Sequence, residues 1–500
     1  MLEMFFAPKS VAVIGASRDE SKVGHIALKN IIEGSFSGDI YPINPKESEI
    51  LGKQCYASVK DVPADIDLGV VVVPAKFAVG VVQECADKKV KGLIIITAGF
   101  KETGHDGAEA EKEIGRIAKS AGMRIIGPNC LGLMDTYSKL NASFVGALPP
   151  QGNIAFISQS GALCSAVLDW SYGAGVGFSK FISTGNKVDV SEPDLLKTLE
   201  EDPTTDVVMI YAEDILSERR FLDAMQSICM KKPVLVLKSG RTPSGMKAIS
   251  SHTGSLAGDD VAYTLAFKQT GGMRCRSIEK LFSACYAFSK QPCIKGDRIA
   301  VITNAGGPGV MATDAIEFDG MKLAQLTDET TQALKGYLPA AASVKNPVDV
   351  LGDALPDRYG FAAEKVIADP NVDGIIVILT PQAMTDIVGT ARMIGDTVKG
   401  CAKPVLCVWM GEKDVRPAFP VLAEYGLPNY AYPESAVYAL QKMYTYHKQK
   451  QELPHRTWAI PADRAEKRDQ AAVAIITKAL GEKRTALNEF EARSIAASYG

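Results

Sequence analysis

Short apolar runs that stop at glycine, serine, threonine, asparagine, glutamate or proline recur along the chain, at residues 10–15, 68–74, 93–99, 153–158, 207–213, 233–240, 298–304, 374–380 and 404–411. They do not alternate polar with apolar, so each predicts a strand buried on both faces. Longer stretches with helical spacing, such as 107–121, lie between them. Alternation of such strands with helices predicts parallel sheets in an α/β architecture, with ligands at the carboxyl ends of the strands.

The pattern repeats within the chain. Residues 153–158 lead into Gly161 as residues 298–303 lead into Gly306 and Gly307, 206–213 matches 373–380, and 232–235 matches 403–406. Two similar α/β domains are therefore expected after a different first one. The expected boundaries are 1–146, 147–290 and 295–450, followed by a charged connection and a short helical start within 451–500 that reads as cut off.

Composition narrows the classes. At 500 residues there is room for about three domains. Net charge is -3, from 55 Lys plus Arg against 58 Asp plus Glu, which argues against a nucleic-acid partner. No apolar run approaches the roughly 18 to 20 residues that span a bilayer, so no membrane role is expected. Ten Cys without a CxxC pair read as reduced thiols in a cytoplasmic protein. The five His are His25, His105, His252, His447 and His455, without metal-ligand spacing, so no metal site is expected.

The candidate chemistry sits where strands end. Gly15, Ala16 and Ser17 form a turn before a helix, a place where free N–H groups can meet a phosphate. The GxGxxG fingerprint is absent, and the second strand ends in Asn44-Pro45-Lys46 where a nicotinamide site wants an acid. A nicotinamide-dependent oxidoreductase is disfavoured on both counts. The turn and Lys46 read equally as a structural turn and a solvated lysine. Further strand ends carry Val73 and Pro74, then Thr97, Ala98 and Gly99; Asn129 sits in a Gly-Pro-Asn-Cys loop where Cys130 reads as packing rather than nucleophile. Ser158, Gln159, Ser160 and Gly161 make a small-residue turn at a helix start, and Asn304, Ala305, Gly306 and Gly307 make its repeat. Either closes a strand–helix turn or binds an anion. Two facing ones could hold one phosphate.

The repeat breaks at two places. Glu213 stands where the third domain has Thr380, and His252 lies in a Ser/Thr/Gly-rich loop whose counterpart has no histidine. A lone His in such a loop is commonly a surface residue. It is also a nucleophile toward phosphorus if a carboxylate steadies its second nitrogen, and Glu213 is the candidate.

With these residues in hand, the sequence resembles the NDP-forming acyl-CoA synthetases, the superfamily of ADP-forming acetyl-CoA synthetase and succinyl-CoA synthetase. The resemblance rests on FFAPKSVAVIGAS (5–17), YPINPK (41–46), IGPNCLG (126–132), ISQSGAL (157–163), YAED (211–214), SSHTGSLAGDD (250–260) and ITNAGGPGVMATD (302–314), in this order. It implies a Rossmann-like CoA-binding domain followed by two flavodoxin-like CoA-ligase domains. CoA would lie along Gly15, Ala16, Ser17, Lys46, Val73, Pro74, Thr97, Ala98 and Gly99, its thiol toward Asn129. Phosphate attacks the thioester of an acyl-CoA, commonly acetyl-CoA; His252 then takes the phosphoryl group with Glu213 as its partner. An ATP-grasp domain, on this chain or another, would pass it to ADP with Mg²⁺. The chain is expected to hold only the opening of that domain. The resemblance also implies a homo-oligomer. The alternative it leaves is a non-catalytic acyl-CoA-binding regulatory region of a protein acetyltransferase.

Overall fold

The computed structural model describes residues 2–215, 218–253, 260–455, 462–482 and 484–499. The chain divides into two compact units, Met1–Leu453 and Pro454–Gly500.

The first sheet of the larger unit runs in the spatial order Asp39–Ile43, Ser10–Ile14, Leu68–Val71, Gly92–Ile95, Arg124–Ile126, all parallel. The strand Ser10–Ile14 shows why its sequence does not alternate. Val11 and Val13 pack on one face with Leu28 and Ile31 of helix Val23–Glu33. Ala12 and Ile14 pack on the other with Val82, Ile114 and Ile117. Both faces of the strand are covered, so both demand apolar side chains.

The second sheet runs Met273–Cys275, Val234–Lys238, Val207–Ala212, Gln151–Ser158, Phe178–Ser183 in parallel. Gly132–Asp135 and Leu140–Ser143 extend its far edge antiparallel. These two short strands precede position 147 in the chain yet belong to the second sheet, tying the first two domains together. The third sheet runs Lys322–Leu323, Arg298–Thr303, Gly374–Leu379, Val405–Trp409 in parallel, with Val348–Asp349 beside Arg298–Thr303.

With the antiparallel edge pair of the second sheet and Val348–Asp349 of the third set aside, second strand, first strand, third strand, fourth strand is the spatial order in all three sheets, the doubly wound arrangement of flavodoxin-like folds. The α/β class expected from the sequence is what the chain adopts. The repeat between the second and third domains extends to side chains. Asn153 Nδ2 donates to Asp206 Oδ2 at 2.8 Å; at the equivalent place Arg298 Nε donates to Asp373 Oδ2 at 2.8 Å. Lys232 Nζ donates to the carbonyls of Leu199 and Asp202, both at 2.6 Å. Lys403 Nζ donates in the same way to Ile367 and Asp369, at 2.6 and 2.7 Å. The helix Pro433–Glu452 packs on both Ile278–Lys290 and Gly306–Phe318, joining the second and third domains.

In the smaller unit, helices Ala462–Gly481 and Glu489–Tyr499 pack on each other. A reciprocal cap starts the second: Glu491 N donates to Asn488 Oδ1 and Asn488 N to Glu491 Oε2, each at 2.9 Å. Arg484 grips the same carboxylate at 2.8 and 2.7 Å and lowers the Glu491 pKa to about 2. No described helix is long and apolar enough to cross a membrane.

Candidate functional site

The strand ends of the first sheet open into a cavity of 1160 Å³. Gly15 begins its wall, with φ of 97°, in the left-handed region that glycine enters without strain. Helix Val23–Glu33 then starts so close to this turn that a Cβ on Gly24 would lie 2.0 Å from the Gly15 carbonyl oxygen. The close approach aims the uncapped helix N-terminus into the cavity, where Lys22 and Gly24 join Gly15, Ala16 and Ser17 in the lining.

The second strand contributes through a clip. Asn44 Nδ2 donates to Ala16 O at 2.7 Å, and Asn44 Oδ1 accepts from Lys46 N at 2.9 Å. Asn44 thus fastens two strand ends together and presents Lys46 to the cavity. Neither Lys22 nor Lys46 has an ion pair among the described residues, so two ammonium groups stand ready for an anion. Val73, Pro74, Thr97 and Ala98 line the same space. Thr97 Oγ1 ties their two strands by donating to Val73 O at 2.7 Å. Gly99 is not in the lining; its N–H donates to Glu102 Oε1 at 2.6 Å.

Asn129 and Cys130 come from the loop after the fifth strand. Asn129 takes a left-handed φ of 56°, which asparagine tolerates. Cys130 is buried, bonds the Ile95 carbonyl at 3.3 Å, and burial pushes its thiol up to about 12. A thiol held protonated is a packing group, not a nucleophile.

The second domain closes the cavity. Gln159, Ser160 and Gly161 line it at the start of helix Gly161–Ala174, and Ser160 Oγ caps that helix by accepting from Leu163 N at 3.3 Å. Ser158 lies just beneath: fully buried, its hydroxyl donates to Ser160 O at 3.0 Å and accepts from Ser160 N at 3.1 Å, shaping the turn. Gln159 Oε1 accepts from the backbone N–H groups of Glu213 and Asp214, and its Nε2 donates to Asp214 Oδ1 at 2.5 Å. Asp214 faces the cavity while Glu213, 5% exposed, lies beside it at the end of strand Val207–Ala212.

Several lining residues were not singled out from the sequence. Lys101 donates from Nζ to Asn186 O at 2.7 Å, and Asn186 Nδ2 donates to Glu102 Oε2 and Glu111 Oε2, each at 2.8 Å. Burial raises the Glu111 pKa, against the pull of the Asn186 and Lys101 bonds. At Glu102, hydrogen bonds from Asn186, Gly99 and Phe100 outweigh burial and lower it. Gly185 and Asn186 had no local signal, because their partners lie many tens of residues away, while Asp214 closes the YAED stretch 211–214 without being singled out there. Lys22 had one: a cation directly before the helix that follows a glycine turn.

His252 belongs to helix Pro243–Thr253, which packs against the turn Lys101–Thr103 of the first domain, beside the cavity. Its side chain lies outside the described residues. Asn304, Ala305, Gly306 and Gly307 are not among the residues that line this cavity. Asn304 is buried and clamps the next strand end, accepting from Thr380 N and donating to Thr380 O, both at 2.9 Å. Ala305 caps helix Gly306–Phe318 without a side-chain bond, leaving its first N–H groups at an open end formed by Gly306 and Gly307.

A cationic, glycine-turned cavity on a doubly wound sheet, closed by the helix start of a second such domain, is the build of a site for a phosphorylated ligand. The CoA binding domain model matches residues 9–136, the succinyl-CoA ligase like flavodoxin domain model 151–288, and the Ligase-CoA domain model 299–454. Together they mark the alpha-type region of an acyl-CoA synthetase. The alpha subunit of acetate–CoA ligase (ADP-forming) II of Pyrococcus furiosus is 43% identical over 88% of this chain and 97% of its own length. Acetate–CoA ligase (ADP-forming) I of Archaeoglobus fulgidus is 44% identical over 89% of this chain, which spans 64% of that longer protein. The solved dinucleotide-forming acetyl-coenzyme A synthetase 1 of Ca. Korarchaeum cryptofilum, in complex with phosphate and ADP, has a TM-score of 0.88 and 38% identity, covering 92% of this chain and 100% of its own. The chain belongs to the NDP-forming acyl-CoA synthetase family.

Proposed function

We propose that this chain is the alpha-type part of an ADP-forming acyl-CoA synthetase acting on acetyl-CoA, interconverting acyl-CoA, ADP and phosphate with acid, CoA and ATP. Its first domain binds CoA, the phosphates against the Gly15 turn, Lys22 and Lys46, and the thiol end toward Asn129. A phosphate oxygen attacks the thioester carbonyl, the C–S bond breaks, and CoA leaves as its thiolate. A ring nitrogen of His252 then attacks phosphorus; the bond to the carboxylate oxygen breaks and the acid leaves. Glu213 hydrogen-bonds the other ring nitrogen and balances the charge that forms. The helix starts at Ser158, Gln159, Ser160 and Gly161, and at Asn304, Ala305, Gly306 and Gly307, offer N–H groups to the transferring phosphoryl group. An ATP-grasp domain or subunit receives it on ADP, with Mg²⁺ serving there. The assembly is a homo-oligomer in the cytoplasm.

One observation supports this reading above the others. Residues Gly15 to Asn129 of the first domain and Gln159 to Asp214 of the second line a single cavity, and the helix carrying His252 packs beside it. The test is incubation with acetyl-CoA and radiolabelled phosphate. An acid-labile label on the protein that vanishes in His252→Asn is expected; equal label in that variant refutes the reading. A protein that binds acetyl-CoA yet never takes label is instead an acyl-CoA-binding regulatory region.

A further inference from the structure

Behind the Ser160 turn lies a charged group that the cavity does not expose. Lys187 follows the strand Phe178–Ser183, and its side chain is 1% exposed. Its ammonium donates to Glu192 Oε1 at 3.0 Å, Asp214 Oδ1 at 2.6 Å and Asp214 O at 3.0 Å. Three donors meet three acceptors, which is all that an ammonium can make. Burial pulls its pKa down, but Glu192 and Asp214 outweigh burial and hold it above the ordinary lysine value. A buried ion pair is a poor way to gain stability, since an apolar replacement often does as well. The backbone adds to the oddity. Lys187 sits at φ of 60°, where glycine or asparagine would be easier. A lysine carries both features here, which points to a use for its side chain.

The use is visible in what Asp214 does next. The oxygen that Lys187 holds, Asp214 Oδ1, also accepts from Gln159 Nε2 at 2.5 Å. That bond fixes which way round the Gln159 amide sits. Its oxygen is left to accept the N–H groups of Glu213 and Asp214. With the amide reversed, an NH₂ would face two N–H groups. The repeat supplies an internal comparison. In the third domain Asn304 clamps Thr380 through the Thr380 backbone N–H and C=O. No lysine occurs in the loop 324–327 after the equivalent strand, and Pro381 stands where the second domain has Asp214. The charged device accompanies the copy that carries Glu213 and His252.

We propose that Lys187 is a positioning residue for phosphoryl transfer: through Asp214 and Gln159 it sets the Glu213 strand end against the helix start at Ser160 and Gly161. The same short loop reaches the other way. Gly185 and Asn186 line the cavity, and Asn186 N and Val188 N donate to Pro128 O and Gly127 O at 2.8 and 3.0 Å. One loop therefore ties the CoA wall to the transfer site. The proposal rests on the phosphohistidine reading given above.

The test uses the full chain and acetyl phosphate labelled in its phosphoryl group, which isolates the step in which His252 displaces acetate from phosphorus. Lys187→Met is expected to slow labelling by about 10- to 100-fold, the scale of a small misplacement of reacting groups. Its CoA affinity stays within about twofold, because Lys187 does not line the cavity. Rates are taken per CoA-binding molecule, so loss of folded protein does not count. Lys187→Arg, which keeps the charge, is expected to recover most of the rate, which a purely space-filling role would not require. Should Lys187→Met not fold, Asp214→Asn takes the charge from the oxygen that Lys187 and Gln159 share, at constant size, and is expected to slow labelling as well. Wild-type protein that takes no label overturns the phosphohistidine reading, and the proposal with it. Wild-type protein that labels at a rate shared by the folded variants overturns the proposal alone.

Discussion

Lys238 shows how much a single side chain can carry. It ends the strand Val234–Lys238, is 1% exposed, donates to Ser239 O at 2.5 Å, and lies 4.5 Å from the Tyr263 ring centroid. Burial, helped by Arg274, lowers its pKa from 10.5 to about 8, while Asp214, Asp260 and Glu213 oppose the fall. Between those two values the unfolded chain holds the proton more tightly than the folded one, so stability rises with pH across that window, and the penalty is complete below pH 8. The drop is worth at most about 3 kcal/mol, and about 2 kcal/mol after allowing for partial solvation. Lys238→Met is therefore expected to be more stable than the wild type by about 2 kcal/mol at pH 7, with the gap closing toward pH 10. Urea unfolding at both pH values measures it. A gap that does not change with pH would show that Lys238 is not held with a lowered pKa.

Among elements, the two flavodoxin-like domains repeat a helix-ending device. Lys232 and Lys403 each stand before a proline that opens the fourth strand, and each bonds two carbonyls at the end of an earlier helix, the one that leads into the third strand: Glu192–Glu201 and Pro356–Ala368. Cations there meet unsatisfied carbonyls and the negative end of the helix dipole. Lys232→Met and Lys403→Met are each expected to cost about 1–2 kcal/mol, the value of charge-assisted bonds in a half-buried place. Differential scanning calorimetry of the two variants checks this. A clear loss in one and none in the other would mean that the shared Lys-Pro pattern is coincidence rather than a common cap. The strands themselves were legible because burial on both faces leaves no room for polar alternation. Gly132–Asp135 and Leu140–Ser143 were not, because each is four residues long and gains its burial from a neighbouring sheet.

On the scale of the whole molecule, every described residue that lines the cavity belongs to the unit Met1–Leu453. Ligand binding should then be independent of the smaller unit. At about 100 times its dissociation constant, CoA is expected to stabilise the chain by about 2.7 kcal/mol, and NAD not at all. A protein ending at Leu453 is expected to show the same CoA-induced rise in melting temperature. A rise produced by NAD, or one lost on removal of 454–500, would contradict the cavity as the CoA site.

The chain alone determined its α/β class, the strand ends and the duplication, since each follows from local demands: apolar side chains on two covered faces, small residues where a helix leaves a strand, lysine before proline at a cap. From those demands Gly15, Lys46, Thr97, Asn129 and Gln159 could be picked out one by one. That they line one space, with Lys101 tied to Asn186 and Lys187 to Asp214, was decided by the packing of the second domain on the first. Contacts between residues so far apart in the chain have no period or motif; they arise from how sheets stack. The same stacking made the Gln159 amide part of a hydrogen-bonded network that leads to a buried ion pair, an arrangement set by Lys187 and Asp214 rather than by its own neighbours in sequence.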